Sequence, residues 1–260
     1  MVESIGIIGA GEIAAAMVDG LRDVAVDTPA IFLSPRNAKT ADELAARHRA
    51  VQVCEDNQSV VDQAELVLLA VRPDVVRDVL EPLDVPGDRV LVSAVAAWSV
   101  EELNALLDNE VTVVRAIPLP AVRQRRGITA LYPGHPVVEE LFNRLGGTVV
   151  APRPEILDAF SAATASISTH LHYLDTVARW MTRQGVAPDA AERYVRTMFS
   201  GVEAALDDYG TSLADLGQAH ETPGGINEQL RSTWFTPGNQ AGLEQALEDI
   251  RQRVARPPAG

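Results

Sequence analysis

The sequence contains very little of several residue types, and each shortage excludes a class of protein. Its 260 residues include one cysteine, Cys54, so neither a disulfide framework nor a thiolate zinc site can form within one chain. Lys39 is the only lysine, so arginine supplies all the other basic residues. No run approaches the roughly 18 uninterrupted apolar residues of a membrane-spanning helix, and no basic segment precedes the first apolar run. We therefore expect a cytoplasmic protein with no membrane partner and no bound metal.

Positive charge is also in short supply. The formal net charge is -14, and such a surface repels phosphate backbones, so we expect no nucleic-acid partner. Apolar residues make up 47% of a chain that is longer than a typical single domain. The composition therefore favours two domains, or one large domain, with a full hydrophobic core.

The two parts of the chain differ in their apolar patterns. Residues 1–152 alternate short β-branched runs with amphipathic segments, which predicts a parallel sheet covered by helices on both faces, in a doubly wound Rossmann fold. Beyond residue 152 the strand patterns stop, and we predict an all-α domain over 153–260 whose tail, "RPPAG", is frayed. The predicted strands are Ser4–Ile8, Ala30–Leu33, Val51–Val53, Leu66–Val71, Arg89–Ser93, Val111–Ala116, Gly127–Leu131 and Thr148–Ala151, and the predicted C-terminal helices are 155–184, 188–208, 211–219, Ile226–Trp234 and 238–254.

A glycine-rich turn follows the first predicted strand. In "SIGIIGAGEIAAAM", Gly9, Gly11 and Ala14 have the G-x-G-x-x-A spacing of a dinucleotide-binding turn that opens a helix. The helix N-terminus offers free N–H groups to a pyrophosphate. We therefore predict that Gly9, Gly11, Glu12 and Ile13 contact a nicotinamide cofactor.

The turn after the second predicted strand indicates which cofactor. NAD sites place an acid there to bind the ribose 2′-hydroxyl, but here Ser34, Arg36 and Asn37 provide a hydroxyl, a guanidinium and an amide. These donors suit a 2′-phosphate, so the turn favours NADPH over NADH. An ordinary solvated turn is the alternative.

Several segments, in order along almost the whole chain, resemble those of the pyrroline-5-carboxylate reductases, which reduce a cyclic imine. They are the glycine turn, "LAVRPDVV", "SAVAAWSVEEL", "RAIPLPAVRQRRGITALYP", "DAFSAATASISTHLHYLDTVA" and "TPGGIN". The resemblance implies an NADPH-dependent reductase of a small cyclic imine, assembled as a homodimer or larger homo-oligomer through intertwined C-terminal helices. It adds further cofactor-binding residues, namely Ala70, Val71, Arg72, Pro73 and Ala94.

The "TPGGIN" segment, residues 222–227, interrupts a helical region with residues that disfavour helix. In the resembled family this loop holds the imine and its carboxylate; otherwise it is a connector between two helices. The resemblance implies catalytic roles for Asn227, Thr222 and Ser166. It implies substrate binding by Ser168, Gly224, Gly225 and Ile226.

The chain departs from the family pattern at two places near the implied substrate pocket. Leu119-Pro120-Ala121 replaces Asn-Thr-Pro, and 165–168 reads Ala-Ser-Ile-Ser in place of Gly-Ser-Gly-Pro. Such group-for-group changes alter which small molecules a site accepts. The resemblance implies reduction of pyrroline-5-carboxylate or a related C=N compound, and the changed pocket residues favour a relative of that substrate.

Two further clusters have both a functional and a structural interpretation. His170 and His172 point to different faces of a helix, so they do not share a metal, but one of them is a candidate proton donor as well as a candidate surface or subunit contact. Arg123, Arg125 and Arg126 form the one basic cluster. They either dock an anionic substrate group or lie on a surface loop.

Two other functions are compatible with the same plan. One is an inactive NADP-binding homologue with a binding or regulatory role. The other is a β-hydroxyacid dehydrogenase, which uses a catalytic lysine in its helical part. Lys39 lies in the cofactor-binding part instead, which argues against that activity.

Overall fold

The computed structural model describes residues 2–22 and 28–255, so the tail that the sequence predicts to be frayed lies outside the described residues. The chain divides into two compact units, residues 1–161 with 251–260 and residues 162–250. The division falls beyond the domain boundary at 152, which stays a prediction.

The first unit is built on one sheet. Its strands are β1 (Ser4–Ile8), β2 (Ala30–Leu33), β3 (Val51–Val53), β4 (Leu66–Leu69), β5 (Val90–Ser93), β6 (Thr112–Ile117), β7 (Thr129–Tyr132) and β8 (Thr148–Val150). Their order, β3-β2-β1-β4-β5-β6-β7-β8, is that of a Rossmann fold over the first six strands. The predicted doubly wound domain is therefore confirmed, with strand ends shifted by up to two residues.

One strand pair differs from the predicted parallel arrangement. β7 runs antiparallel to β6, with Ala116 opposite Leu131, whereas β7 and β8 are parallel. The connection from Ile117 to Thr129 contains only a short 3₁₀ turn, Pro120–Gln124. A parallel return needs a crossover of a dozen or more residues, so the shorter connection reverses the strand.

Helices cover both faces of the sheet because the strands alternate their apolar side chains between two cores. Ile5 and Ile7 belong to one core and Val67 and Leu69 to the other. The helices of this unit are α1 (Glu12–Arg22), α2 (Ala38–Arg47), α3 (Asn57–Gln63), α4 (Val76–Leu80), α5 (Val100–Asn104), α6 (Pro136–Asn143) and α7 (Pro154–Thr164), of which α7 ends three residues beyond the unit boundary.

The second unit is helical, as predicted. Its helices are α8 (Ser166–Arg183), α9 (Pro188–Leu206), α10 (Leu213–Ala219), α11 (Ile226–Trp234) and α12 (Pro237–Val254), the last of which ends in the residues grouped with the first unit. The single helix predicted over 155–184 is wrong: it is interrupted at Ala165. There the Ser166 hydroxyl donates to the Ala163 carbonyl at 2.7 Å, and such local side-chain bonds compete with the helical ladder.

The second unit has almost no interior of its own. Among residues 162–250, only Ala162, Ala178, Ala191 and Val195 are buried. Of the large apolar side chains that are exposed in the described residues, all but Ile128 and Val150 lie in this unit. Within the described ranges, no helix is both long enough and apolar enough to cross a bilayer.

Candidate active site

The glycine turn lies where the sheet order reverses, between β1 and β4. Gly9 has φ 101°, and a Cβ on it would lie 2.5 Å from the Ala70 carbonyl oxygen, so only glycine allows this approach of the two strand ends. A Cβ on Gly11 would meet nothing within 4 Å. The space in front of Gly11 and the N-terminus of α1 is therefore open, which is the cradle that a pyrophosphate requires.

Two hydrogen bonds join this turn to the turn after β2. The Gly9 N–H donates to Ser34 Oγ at 2.9 Å, and Asn37 Nδ2 donates to the Ala10 carbonyl at 2.7 Å. Ser34 is fully buried, so its hydroxyl supports the glycine turn from inside. Asn37 adopts the left-handed conformation, φ 61°, at the start of α2. The predicted pyrophosphate and 2′-phosphate regions are therefore linked as one piece of structure.

A cavity of about 260 Å³ opens in front of these turns. Ala70 and Val71 line it beside the glycine turn, and Arg36 and Arg72 carry its positive charge. Arg72 lies 3.4 Å from Asp74, whereas Arg36 is exposed and makes no ion pair within the described part of the chain. The turn thus presents an available cation, and the residues fit a dinucleotide with a 2′-phosphate.

The turn after β4 is fixed by an indole. Trp98, which is 9% exposed, donates from Nε1 to the Pro73 carbonyl at 3.1 Å. The preceding residue, Ala97, has φ 62°. This left-handed conformation is energetically unfavourable for a residue that has a Cβ. Pro73 therefore contacts Trp98 through its carbonyl oxygen, and it is not among the residues that line the cavity.

A second cavity, of about 80 Å³, lies at the carboxyl ends of β5 and β6. The predicted cofactor residues Ile13 and Ala94 line it, together with Arg115. Arg115 Nη2 donates to Asp158 Oδ1 at 3.2 Å, and both side chains are buried. Sequence reasoning missed this pair, although an arginine within the apolar run "VTVVRAI" indicates a buried charge that needs a partner.

Arg123, one of the candidate anion-docking residues, is paired within the first unit. It lies 3.1 Å from Glu12 and 3.3 Å from Asp19, both on α1. Asp19 also pairs with Arg47 on α2 at 3.0 Å. Arg123 and Glu12 therefore tie the 3₁₀ turn Pro120–Gln124 to the helix that follows the glycine turn, which supports the structural interpretation of Arg123.

In the second unit, the "TPGGIN" segment forms a turn and then α11. The Gly225 N–H donates to the Thr222 carbonyl at 2.8 Å, and Gly224 has φ 74° after Pro223, the pattern of a type II turn. The Gly224 N–H donates to Glu228 Oε2 at 2.6 Å. The backbone N–H groups of the predicted substrate-binding residues Gly224 and Gly225 thus both donate to groups of this loop and α11.

The remaining candidate substrate residues lie on the same helical unit. Asn227 Nδ2 donates to the His220 carbonyl at 2.7 Å, which leaves its amide oxygen without a hydrogen bond among the described residues, and Ile226 is 84% exposed. Ser166 and Ser168 donate to backbone carbonyls three residues earlier, at 2.7 and 3.4 Å. These hydroxyls therefore also serve the start of α8.

His170 lies in an aromatic cluster. Its ring stacks on Tyr173 at 6.4 Å and meets Phe199 edge-on at 6.0 Å, and Tyr173 also contacts Trp234. This cluster connects α8, α9 and α11. His170 therefore packs against aromatic side chains of its own unit.

Comparison with known proteins confirms the resemblance inferred from the sequence. Residues 4–97 match the family model described as "NADP oxidoreductase coenzyme F420-dependent". The chain is 26% identical to the pyrroline-5-carboxylate reductase of Pseudomonas aeruginosa, over 96% of this chain and 95% of that protein. It is 27% identical to the enzyme of that name from Mycobacterium leprae, over 95% and 89% of the two chains.

A solved structure agrees with the fold. The pyrroline-5-carboxylate reductase of Coxiella burnetii superposes with a TM-score of 0.82 at 20% identity, covering 96% of each chain. The two-part architecture, a Rossmann domain followed by helices, is thus the architecture of these reductases.

Proposed function

We propose that this chain, a divergent relative of the pyrroline-5-carboxylate reductases, is an NADPH-dependent reductase of a small cyclic imine. The observation that carries the proposal is the cavity at the topological switch point, with Arg36 and Asn37 in place of the acid of NAD sites. The full-length similarity to enzymes named for pyrroline-5-carboxylate supports that compound, or a close C=N relative, as the substrate.

The cofactor residues have separate tasks in this proposal. The N-terminus of α1 and Gly11 receive the pyrophosphate, while Arg36 and Asn37 receive the 2′-phosphate. Bound NADPH supplies the hydride. The first unit of the chain holds the dinucleotide in one position, because hydrogen bonds from Gly9 and Asn37 fix the two turns to each other.

The substrate residues proposed here are Thr222, Gly224, Gly225, Ile226 and Asn227, with Ser166 and Ser168 as further hydroxyl donors. The carboxylate of Glu228 accepts the Gly224 N–H at 2.6 Å, so this backbone position binds a carboxylate oxygen. A substrate carboxylate would take the place of Glu228 there. The Asn227 amide oxygen would then accept a hydrogen bond from the protonated imine nitrogen and orient the C=N bond.

We also propose that the second unit forms a homodimer interface. Large exposed apolar side chains, including Leu171, Trp180 and Tyr194, are concentrated on helices that bury almost nothing of their own. Exposed apolar surface on this scale is typical of protein–protein contacts. Most soluble oligomers are symmetric assemblies of identical chains, so the proposed partner is a second copy of this chain.

The direct test is to measure NADPH oxidation in the presence of cyclic imines that carry or lack a carboxylate. The loss of absorbance of the reduced nicotinamide reports the rate. Turnover of pyrroline-5-carboxylate or a related cyclic imine, faster with NADPH than with NADH, is the expected result. Binding of NADPH without turnover of any imine would contradict a reductase and point to the inactive homologue.

A further inference from the structure

Arg115 is an unusual residue for the middle of a sheet. It lies on β6 opposite Ser93 of β5 and Tyr132 of β7, and it is 7% exposed. Its partner Asp158, on α7, is also 7% exposed. Burying these two charged side chains costs desolvation free energy. That cost is offset only if the remaining donors and acceptors of the two groups also form hydrogen bonds. The pair therefore calls for an explanation beyond anchoring α7 to the sheet.

The position of Arg115 places it in one particular part of a dinucleotide site. A dinucleotide bound to this fold crosses the switch point between β1 and β4. Arg36 marks the β2 side, where the adenosine half belongs. The other half must then extend past Ile13 toward the carboxyl ends of β5 and β6, where the cavity of about 80 Å³ lies. Arg115 lines this nicotinamide-side cavity.

The cavity offers few polar groups, and Arg115 is the charged one. Most of its lining is apolar, from the residues after β5, the end of β6 and Leu157, with Ser161 as the other polar side chain. A guanidinium has five N–H donors. Within the described ranges, Arg115 makes one side-chain hydrogen bond, to Asp158, and none of its nitrogens is both sealed from solvent and unpartnered. The remaining donors thus keep some contact with solvent, and Arg115 is one of the residues that line the cavity.

We propose that Arg115 is a cofactor-binding residue that donates a hydrogen bond to the carboxamide oxygen of the nicotinamide, and that Asp158 balances its charge. The inference rests on the proposed function, which supplies the dinucleotide. The cavity of about 80 Å³ is several times the roughly 10–15 Å³ that one water needs on this measure, so it has room for a group the size of a carboxamide. An arginine alone there would oppose the positive ring of NADP⁺, and the carboxylate of Asp158 cancels that effect.

This charge balance gives a signature that loss of packing cannot imitate. The oxidised ring is positive and the reduced ring is neutral, so a charge nearby changes the ratio of the dissociation constants of NADP⁺ and NADPH. Asp158→Asn leaves the arginine uncompensated and should raise that ratio about three- to tenfold, whereas Arg115→Met should lower it by a similar factor. Equilibrium binding, measured by calorimetry and nucleotide fluorescence, gives both constants without turnover.

A fragment of the cofactor separates the nicotinamide contact from general damage. The 2′-phosphate derivative of ADP-ribose lacks the nicotinamide, so its affinity should stay within about twofold of wild type in both variants, while Arg115→Met weakens NADPH about tenfold, as loss of one charged hydrogen bond predicts. Arg89→Met is the matched control, since Arg89 lies at the amino end of β5, opposite the carboxyl ends that line the cavity, and pairs with Asp88 at 3.5 Å. It should change none of these values.

The outcomes separate the inference from the proposed function. An unchanged NADP⁺/NADPH ratio in both variants, or an equal loss of the fragment and the whole cofactor, overturns the role of Arg115. If either single variant fails to fold by circular dichroism, the double variant Arg115→Met/Asp158→Asn decides. It should keep the wild-type ratio and fragment affinity but bind NADPH about tenfold more weakly, and unchanged NADPH affinity overturns the proposal. Absence of imine turnover with these binding shifts intact would refute the reductase alone.

Discussion

Arg36 is the residue on which the choice of cofactor depends. It is exposed on the rim of the cavity beside Asn37, without an ion pair among the described residues. Arg36→Ala should weaken NADPH by about 1.5–3 kcal/mol, as expected for hydrogen bonds to a charged group, and leave NADH nearly unchanged. Titration of both nucleotides into the variant measures this difference.

An arginine outside the cavity lining provides the control for that substitution. Arg77, on α4, pairs with Glu81 at the surface, and Arg77→Ala should change neither affinity. Equal losses of NADPH and NADH in Arg36→Ala would show that the guanidinium does not read the 2′-phosphate.

Asn227 tests the proposed substrate loop. Asn227→Leu keeps the approximate volume but removes the amide oxygen and the hydrogen bond to His220. The turnover number should fall about 100-fold or more, roughly 3 kcal/mol, if the contact strengthens in the transition state. NADPH affinity should stay at the wild-type value because the glycine turn is untouched.

The neighbouring α11 residue Gln229, which is exposed, supplies the control as Gln229→Leu and should leave steady-state kinetics unchanged. A raised Michaelis constant with normal turnover in Asn227→Leu would indicate ground-state binding instead. Wild-type kinetics in Asn227→Leu would show that the loop only connects α10 to α11 and does not bind the substrate.

Cys54 should be an unreactive thiol in the folded protein. Burial raises the pKa of Cys54, and the charge of Asp56 raises it further, so little thiolate is present at neutral pH. Iodoacetamide should alkylate the native protein at least about tenfold more slowly than free glutathione and react rapidly in urea. Full labelling of the native protein at the rate of glutathione would contradict this expectation.

At the scale of the element, the β5–α5 connection contains a conformational strain that a substitution can release. Ala97 has φ 62°, and a left-handed alanine costs about 1–2 kcal/mol relative to its usual conformations. Ala97→Gly should therefore raise the free energy of unfolding by up to about 1 kcal/mol, after the extra freedom that glycine gives the unfolded chain.

The adjacent residue is the matched control. Ala96 is exposed and has no positive φ, so Ala96→Gly should lower the free energy of unfolding by about 0.5–1 kcal/mol. Urea unfolding of the two variants measures both values. The same sign of change in both would mean that the backbone at Ala97 is not strained.

The elements of the first unit were predictable because their strands are buried on both faces and therefore appear as short apolar runs, such as Leu66–Leu69. The glycine spacing after the first apolar run also correctly predicted a turn at Gly9 and Gly11 that opens a helix. The reversal of β7 depended on the length of one connection, and the break at Ala165 on one serine hydroxyl. The spacing of apolar residues along the sequence predicts neither the strand reversal nor the helix break.

Parts of the candidate site depend on contacts between distant residues. Arg115 and Asp158 are 43 positions apart, and only the folded chain brings them together. Ser34 is buried and accepts a hydrogen bond from the Gly9 N–H, although its residue type suggested a ligand contact. The residue types indicate what these groups could bind, but only the tertiary structure determines which of them face a cavity.

At the scale of the whole molecule, the proposed dimer predicts that sedimentation at micromolar concentration shows at least two chains. Leu171 on α8 is 60% exposed, and Leu171→Glu should place a charge in the interface and shift the protein toward monomer. Ile128, which is 50% exposed in the first unit, provides the control Ile128→Glu, which should sediment as wild type. A monomeric wild-type protein at that concentration would refute the interface.

The scarcity of buried residues in 162–250 also bears on folding kinetics. On the dimer proposal, the sheet unit folds in a unimolecular step, whereas the helices that follow it in the chain complete their packing only when two chains meet. Helix packing during refolding should accelerate with protein concentration while the sheet forms at a constant rate. The amount of chain that a cell synthesises would then control how long these apolar helices stay available to chaperones and proteases.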